Sequence, residues 1–221
     1  MPGAPVNAEV RIGLRPIGNP MPLGFLALAA GTLTLSGLQL GWIPAGEGDA
    51  VALALVAFVF PLQLLASIFA FLGRDGAAAE GLGLLAGGWL TIGLVTLASP
   101  PGSTSNALGV FLLALAFVLL APVLSAWPSK AVAAAVIGGA ALRFLATAVY
   151  ELSASGSWEN VAGIVGVALF VLAAYAGLAM TLADANHGEG PLPLGRAEGG
   201  APVGSDPTRK VEQEPGVRPQ L

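Results

Sequence analysis

Long runs of uncharged, apolar residues dominate this chain and limit the folds open to it. No charged residue lies between Arg15 and Glu47, and none lies in residues 50–73, 81–129 or 160–183. A helix that crosses a bilayer needs about 20 predominantly apolar residues, and each of these runs is long enough. Only 10% of the residues are charged, whereas about a quarter are charged in an average soluble domain. The sequence therefore predicts an integral membrane protein.

The apolar runs predict an all-α bundle of six transmembrane helices. The run at residues 81–129 is too long for one crossing, and Pro100, Pro101 and Gly102 divide it, since they are strong helix breakers. The predicted spans are residues 22–42, 50–73, 78–98, 106–127, 130–152 and 160–183. We expect residues 1–18 to form a cytoplasmic arm, residues 19–184 the transmembrane domain, and residues 185–221 a disordered cytoplasmic tail rich in Gly and Pro.

The basic residues predict that both termini are cytoplasmic. Cytoplasmic loops of membrane proteins hold an excess of Lys and Arg. Here Arg74 lies in the loop between spans two and three, Lys130 lies between spans four and five, and the other basic residues outside the spans lie near the two termini. None of the three remaining loops contains a basic residue, and Glu47, Asp49, Glu151 and Glu159 lie at two of them. We therefore expect a multi-pass protein of the plasma membrane, which in a bacterium is the inner membrane.

Polar side chains recur at helical spacing within the spans. Thr32, Ser36 and Gln39 form a stripe along span one, and Gln63 follows Pro61, which should distort span two because it lacks an N–H. Hydrogen bonds between helices would explain such residues. Polar groups in a bilayer also line cavities and permeation paths. Both interpretations are open from the sequence.

Arg143 lies inside span five and has two interpretations. At 1.5 Å per residue it is roughly 20 Å from Lys130 and about 12 Å from Glu151, in the outer half of the membrane. Its side chain could reach the outer headgroups or pair with Glu151 or Glu159. Alternatively, its guanidinium could hold a carboxylate anion on a permeation path.

Several classes of function are disfavoured by composition. There is no cysteine, the single histidine lies outside the predicted spans, and Asp or Glu residues lie only at or beyond the span ends. Catalysis within the bilayer would need paired carboxylates, a histidine cluster or a nucleophile with a base. No basic patch suggests nucleic acid. We expect a non-enzyme with no catalytic residues, no metal and no cofactor.

The segment Asn19-Pro20-Met21-Pro22-Leu23-Gly24-Phe25 resembles the Asn-Pro-x-Pro-Leu-Gly-Leu element that begins the first helix of the acetate uptake transporter family, the succinate–acetate permease type. Further likenesses lie at residues 63–73, 89–91, 162–166, 174–180 and 192–195. Their order and spacing agree with the family over roughly residues 18–196. The family opens its third helix with hydroxyl and aromatic residues, and residues 78–88 here are apolar except for Glu80.

The resemblance implies a cyclic homo-oligomer, often a hexamer, in which each protomer holds a path for acetate and other small carboxylates. Leu28 best matches an aromatic constriction residue of relatives, whereas Arg143 lies where relatives carry an aliphatic residue. The predicted path residues are Asn19, Pro20, Pro22, Leu23, Gly24, Leu28, Thr32, Ser36, Gln39, Gln63, Trp89 and Arg143. We hypothesise a transporter or channel for small carboxylate anions in the lipid bilayer, with proton linkage left open. The alternative is a structural or regulatory membrane protein with the same fold, which the apolar third span favours.

Overall fold

Six helices make up most of the structure, a computed structural model that describes residues 18–186 and 191–195. Each is long and apolar enough to cross a membrane. They are α1 (Met21–Gln39), α2 (Ala45–Leu72), α3 (Gly76–Ala98), α4 (Asn106–Ala126), α5 (Ala131–Ser153) and α6 (Gly156–Ala185). The predicted all-α, six-span membrane fold is confirmed. The side of the membrane on which the termini lie stays a prediction.

Most helix ends differ from the predicted spans by a few residues, the largest difference being that α2 begins at Ala45 rather than at residue 50. Two of the differences have clear local reasons. α1 ends at Gln39 rather than at residue 42 because Gly41 adopts a left-handed conformation (φ 71°) and its N–H donates to the Leu38 carbonyl. Such a glycine is a common helix terminator. α6 begins at Gly156, so that Glu159 lies in its first turn. A carboxylate is favoured there by the helix dipole, and its charge therefore does not mark a loop.

Prolines interrupt two of the helices. The expected distortion near Pro61 is present, because the turn before it widens into a π-helical segment, Leu55–Val59. α4 breaks at Leu119, between Asn106–Val118 and Leu120–Ala126, shortly before Pro122. In both cases the proline ring displaces the carbonyl four residues earlier and offers it no hydrogen bond. The breaks do not end the span.

The helices pack in neighbouring pairs, and α6 lies between α1 and α5. α1 packs most extensively against α6, α2 against α3, and α5 lies between α4 and α6. Gly163 and Gly177 of α6 face the side chains of Leu40 and Leu26, with no room for a Cβ. Small residues of this kind let two helices approach closely. α1 and α6 are therefore held at short range along most of their length.

The two ends of the bundle are each tied across loops. At one end, called here the Asp75 end, Lys130 forms an ion pair with Asp75, which joins the α2–α3 and α4–α5 turns. At the other, the Glu151 end, the Ser105 N–H donates to Glu151 Oε2 at 2.7 Å and joins the α3–α4 loop to α5. The basic residues predict that the Asp75 end is cytoplasmic.

A short segment after α6 returns to the bundle. The Tyr175 hydroxyl donates to the Pro193 carbonyl at 2.7 Å, and the Ala131 N–H donates to the Gly195 carbonyl at 3.3 Å. Pro191–Gly195 are therefore an exception to the predicted disordered tail. The rest of that tail from residue 187 onward, and residues 1–17 of the predicted arm, lie outside the described residues.

Two glycines of α3 provide a matched test of the packing. A methyl group on Gly93 would lie 2.6 Å from Val56 Cγ2 and 3.0 Å from the Ala52 carbonyl oxygen, whereas one on Gly87 would meet nothing within 4 Å. We expect Gly93→Ala to lower the free energy of unfolding by about 1–3 kcal/mol through overpacking. Gly87→Ala should leave it unchanged or raise it. Unfolding of purified protein in detergent measures both, and equal stabilities would contradict the α2–α3 packing.

Candidate functional site

The Arg143 side chain lies in the interior of the bundle. It is only 1% exposed, so it does not reach the lipid headgroups. Within the described residues the ion pair found joins Lys130 to Asp75, and no carboxylate accepts from Arg143. Snorkelling and pairing with Glu151 or Glu159 are therefore both wrong as interpretations of Arg143.

Neutral acceptors surround the guanidinium. Nη1 donates to Ser36 Oγ at 3.0 Å and to the Ala162 carbonyl at 2.8 Å, and Nη2 donates to Gln39 Oε1 at 3.2 Å. Nε is buried and has no partner in the described part of the chain. A buried charge is costly unless it is paired and hydrogen-bonded. Here the hydrogen bonds are largely supplied, but the positive charge is not neutralised by any carboxylate of the described residues.

Gly166 of α6 makes the space that the guanidinium occupies. A Cβ at this position would overlap both Arg143 Nη1 and Ser36 Oγ. The Gly166 carbonyl also accepts from Thr32 Oγ1 at 3.3 Å, and Ser36 Oγ donates to the Thr32 carbonyl at 2.7 Å. The stripe on α1 therefore faces α6 and Arg143. The sequence did not identify Ala162 and Gly166 as part of this site. The usable signal was that these two small residues lie four positions apart and therefore share one helix face.

A cavity of about 100 Å³ opens at the Glu151 end, beside this cluster. Its polar lining includes Gln39, Asp49, Thr96, Thr147, Glu151 and Glu159, and its apolar lining includes Leu35, Ile92 and Leu108. We call it the polar cavity. Gln39 and Thr147 are its most buried polar members, at 6% and 3% exposure, and we call them its floor. The three carboxylates give its walls negative charge.

Both floor residues have unused hydrogen-bonding groups. Thr147 Oγ1 is buried without a partner in the described residues. Gln39 uses Oε1 for Arg143, and its Nε2 has no hydrogen bond within the described chain. Since a guanidinium has donors only, the oxygen of the Gln39 amide must face Arg143 and the NH₂ must point elsewhere. The floor therefore combines the Gln39 NH₂ as a donor with a buried, unpartnered hydroxyl, and both residues lie beside a positive charge.

Five of the predicted path residues lie in the first turn of α1 or directly before it. Asn19 Oδ1 accepts from the Met21 N–H at 3.1 Å, a local turn directly before the helix, whose N-cap is Pro20. Pro20 immediately precedes α1, and Pro22 and Leu23 lie in its first turn with Leu23 38% exposed. This local hydrogen bond and the position of Pro20 at the helix start explain both residues on local grounds. Lining of a path by these residues stays a prediction.

A second buried polar contact lies nearer the Asp75 end. Gln63 Nε2 donates to the Gly24 carbonyl at 3.2 Å, while Gln63 Oε1 is buried without a partner in the described residues. Leu28, one turn further along α1, is fully buried. Trp89 packs edge-on against Phe144, with its indole N–H buried and unpartnered among the described residues. The structure thus joins Gly24 to Gln63, and Ser36 and Gln39 to Arg143, as two separate groups.

The fold and the buried polar groups place the chain among multi-pass α-helical membrane proteins. Its architecture is similar to that of the solved bacterial acetate channel SatP, with a TM-score of 0.72 over 81% of this chain and 99% of that chain, at 18% sequence identity. The fold that the sequence resemblance implied is therefore right. A comparison with protein-family models finds no match, and a comparison with curated proteins finds none.

A double-mutant cycle tests the contact between Gln39 and Arg143. We expect Gln39→Leu to lower the free energy of unfolding by about 1.5–3 kcal/mol, because it leaves part of a buried guanidinium unpaired. The double variant Gln39→Leu/Arg143→Leu should lose less than the sum of the single variants, since no charge remains to be satisfied. Unfolding in detergent gives the four free energies. Additive losses would show that the two side chains do not interact.

Proposed function

We propose that this protein is a channel or transporter for acetate and similar small monocarboxylates, of the acetate uptake transporter family. The observation that carries the proposal is the buried Arg143 charge, which lies beside a small polar cavity and has no carboxylate partner among the described residues. The likeness in fold to an acetate channel and the motif at residues 19–24 support the same conclusion.

An uncompensated cation inside a bilayer favours an anion as its ligand. Two opposite charges attract far more strongly in a low-dielectric interior than in water. An anion that reaches the cavity floor would therefore gain from Arg143 even without touching it. A cation would meet the same charge as a barrier. The site is thus suited to a negatively charged substrate.

The size of the polar cavity favours a very small substrate. A cavity of about 150 Å³ accommodates benzene, which has six non-hydrogen atoms. By the same proportion, a cavity of about 100 Å³ suits roughly four such atoms, the number in acetate. Succinate and sugars have more non-hydrogen atoms than this. Acetate is accordingly the first candidate.

The proposed path follows α1 through the bundle. It begins at residues 19–24, passes Gln63 and Leu28, and continues along Thr32 and Ser36 to Gln39, with Trp89 and Arg143 contributing to its wall. Because Leu28 is fully buried, we propose that it closes the path in this conformation. A substrate passing such an apolar constriction must lose most of its water.

The membrane, the orientation, the assembly and the proton linkage of the protein are also part of what we propose. We place the Asp75 end in the cytoplasm and the protein in the plasma membrane, from the distribution of basic residues. Assembly into a cyclic oligomer, as in the resembling family, would give each protomer its own path. If transport is linked to protons, the substrate's own carboxyl group can carry the proton.

Uptake of labelled acetate by proteoliposomes tests the function. We expect saturable flux above that of empty vesicles, and Arg143→Leu should reduce it by about tenfold or more, equivalent to about 1.4 kcal/mol, since the positive charge that attracts the anion is lost. Thr181→Val is the control, because this hydroxyl bonds the Gly177 carbonyl of its own helix, away from the polar cavity. It should transport normally.

The acidic wall of the polar cavity predicts a dependence on salt. Asp49 is exposed at the wall and repels an anion that enters from the Glu151 end. We expect Asp49→Asn to raise acetate uptake severalfold at about 0.01 M ionic strength and little at about 0.15 M, where charges are screened beyond roughly 8 Å. Uptake assays at the two ionic strengths measure this. An equal effect at both would mean that Asp49 acts by contact rather than by its field.

The second candidate is a structural or regulatory membrane protein without transport activity. It is favoured by the closed interior at Leu28 and by the apolar first half of α3, where Leu82 and Leu85 are fully buried. Absence of flux for formate, acetate, propionate and succinate in proteoliposomes would support this candidate and overturn the first.

A further inference from the structure

We infer that Gln39 and Thr147, the floor of the polar cavity, bind the carboxylate of the substrate, and that Arg143 acts behind them as a positioning residue. The inference rests on the proposed function and names where in the chain the substrate is recognised. It uses donors that the fold leaves unused, rather than the guanidinium itself, which Ser36, Gln39 and Ala162 already occupy.

Arg143 fixes the orientation of the Gln39 amide. A glutamine side chain can present either its oxygen or its NH₂ to a neighbour, and the two choices differ by a rotation of half a turn. The contact between Arg143 Nη2 and Gln39 Oε1 at 3.2 Å permits only one of them. The NH₂ group is therefore held away from Arg143 on a residue that lines the polar cavity. The nearby positive charge also polarises this amide and strengthens it as a donor.

The Thr147 hydroxyl makes no hydrogen bond within its own helix, unlike three other threonine hydroxyls of the bundle. Thr34, Thr91 and Thr181 each donate to the carbonyl four residues earlier, at 2.9 Å. Thr147 makes no such bond, although it is 3% exposed and lies in a helix. A buried hydroxyl without a partner loses free energy relative to one that is bonded. A ligand oxygen at the cavity floor would supply that partner once the side chains that cover the hydroxyl move aside.

The rest of the lining suits a short alkyl group on the carboxylate. Leu35, Ile92 and Leu108 contribute apolar surface, which can pack against a methyl group. A second carboxylate on the ligand would meet either this apolar surface or the acidic walls formed by Asp49, Glu151 and Glu159. Like charges close together are unfavourable. The cavity should therefore select monocarboxylates over dicarboxylates of similar chain length.

Ligand-dependent thermal stability tests the site without any transport assay. A ligand that binds the folded state raises its melting temperature with concentration. We expect sodium acetate to stabilise the wild-type protein in detergent more than sodium chloride at equal ionic strength, and acetamide, its uncharged isostere, to give no shift. Thr147→Val and Gln39→Leu should lose the acetate shift. Thr147→Ser, which keeps the hydroxyl, and the control Thr181→Val should retain it.

Flux measurements separate failure of this inference from failure of the proposed function. We expect Thr147→Val to raise the acetate concentration for half-maximal uptake about tenfold, since a hydrogen bond to a charged group is lost. Its maximal rate should change less, and Thr147→Ser should restore wild-type behaviour. Saturable wild-type uptake with an unchanged half-maximal concentration in both Thr147→Val and Gln39→Leu would overturn the floor site alone. No uptake by the wild type would overturn the transport function itself.

Discussion

The charge of Arg143 inside the bundle, which no carboxylate of the described residues neutralises, is the constraint on which the site depends. A guanidinium in a bilayer must either reach water or be enclosed by acceptors. Here it is enclosed, by Ser36 and Gln39 of α1 and the Ala162 carbonyl of α6. Because Arg143 itself belongs to α5, one side chain fixes the relative positions of three helices. The neutral acceptors satisfy its hydrogen bonds but leave its field intact, and that field reaches the cavity beside it.

The polar cavity has negative charge at its walls and positive charge close to its floor. Its walls carry carboxylates, and its floor lies against a cation. An anion would meet repulsion at the walls and attraction below them, so that the floor gives selectivity while the walls limit how strongly the ligand is held. Weak retention is what a conduction path needs, since a site that binds too tightly releases slowly.

Apolar run length and the spacing of breaks predicted the six helices well, because crossing a bilayer leaves little choice of structure. The errors at Gln39 and Gly156 were local, since a left-handed glycine and a favourable dipole are not visible in hydropathy. The stripe on α1 was predicted as a polar face. That Arg143 is the partner of this stripe was not predicted, because the direction in which its side chain points depends on packing against α6. Thr147 was visible in sequence as a neighbour of Arg143, but its lack of a partner is a property of the folded chain.

The close fit between Gly166 and the guanidinium constrains the order in which such a site can arise. Any side chain at position 166 would occupy the volume that Arg143 and Ser36 fill. An arginine introduced into α5 of a protein with this fold would therefore be tolerated only if glycine were already present on α6. Once the arginine is in place, the glycine can no longer be exchanged for a larger residue. The two substitutions therefore have a fixed order, the glycine before the arginine. To introduce the same buried charge into another protein of this fold, a designer would first need a glycine at this position.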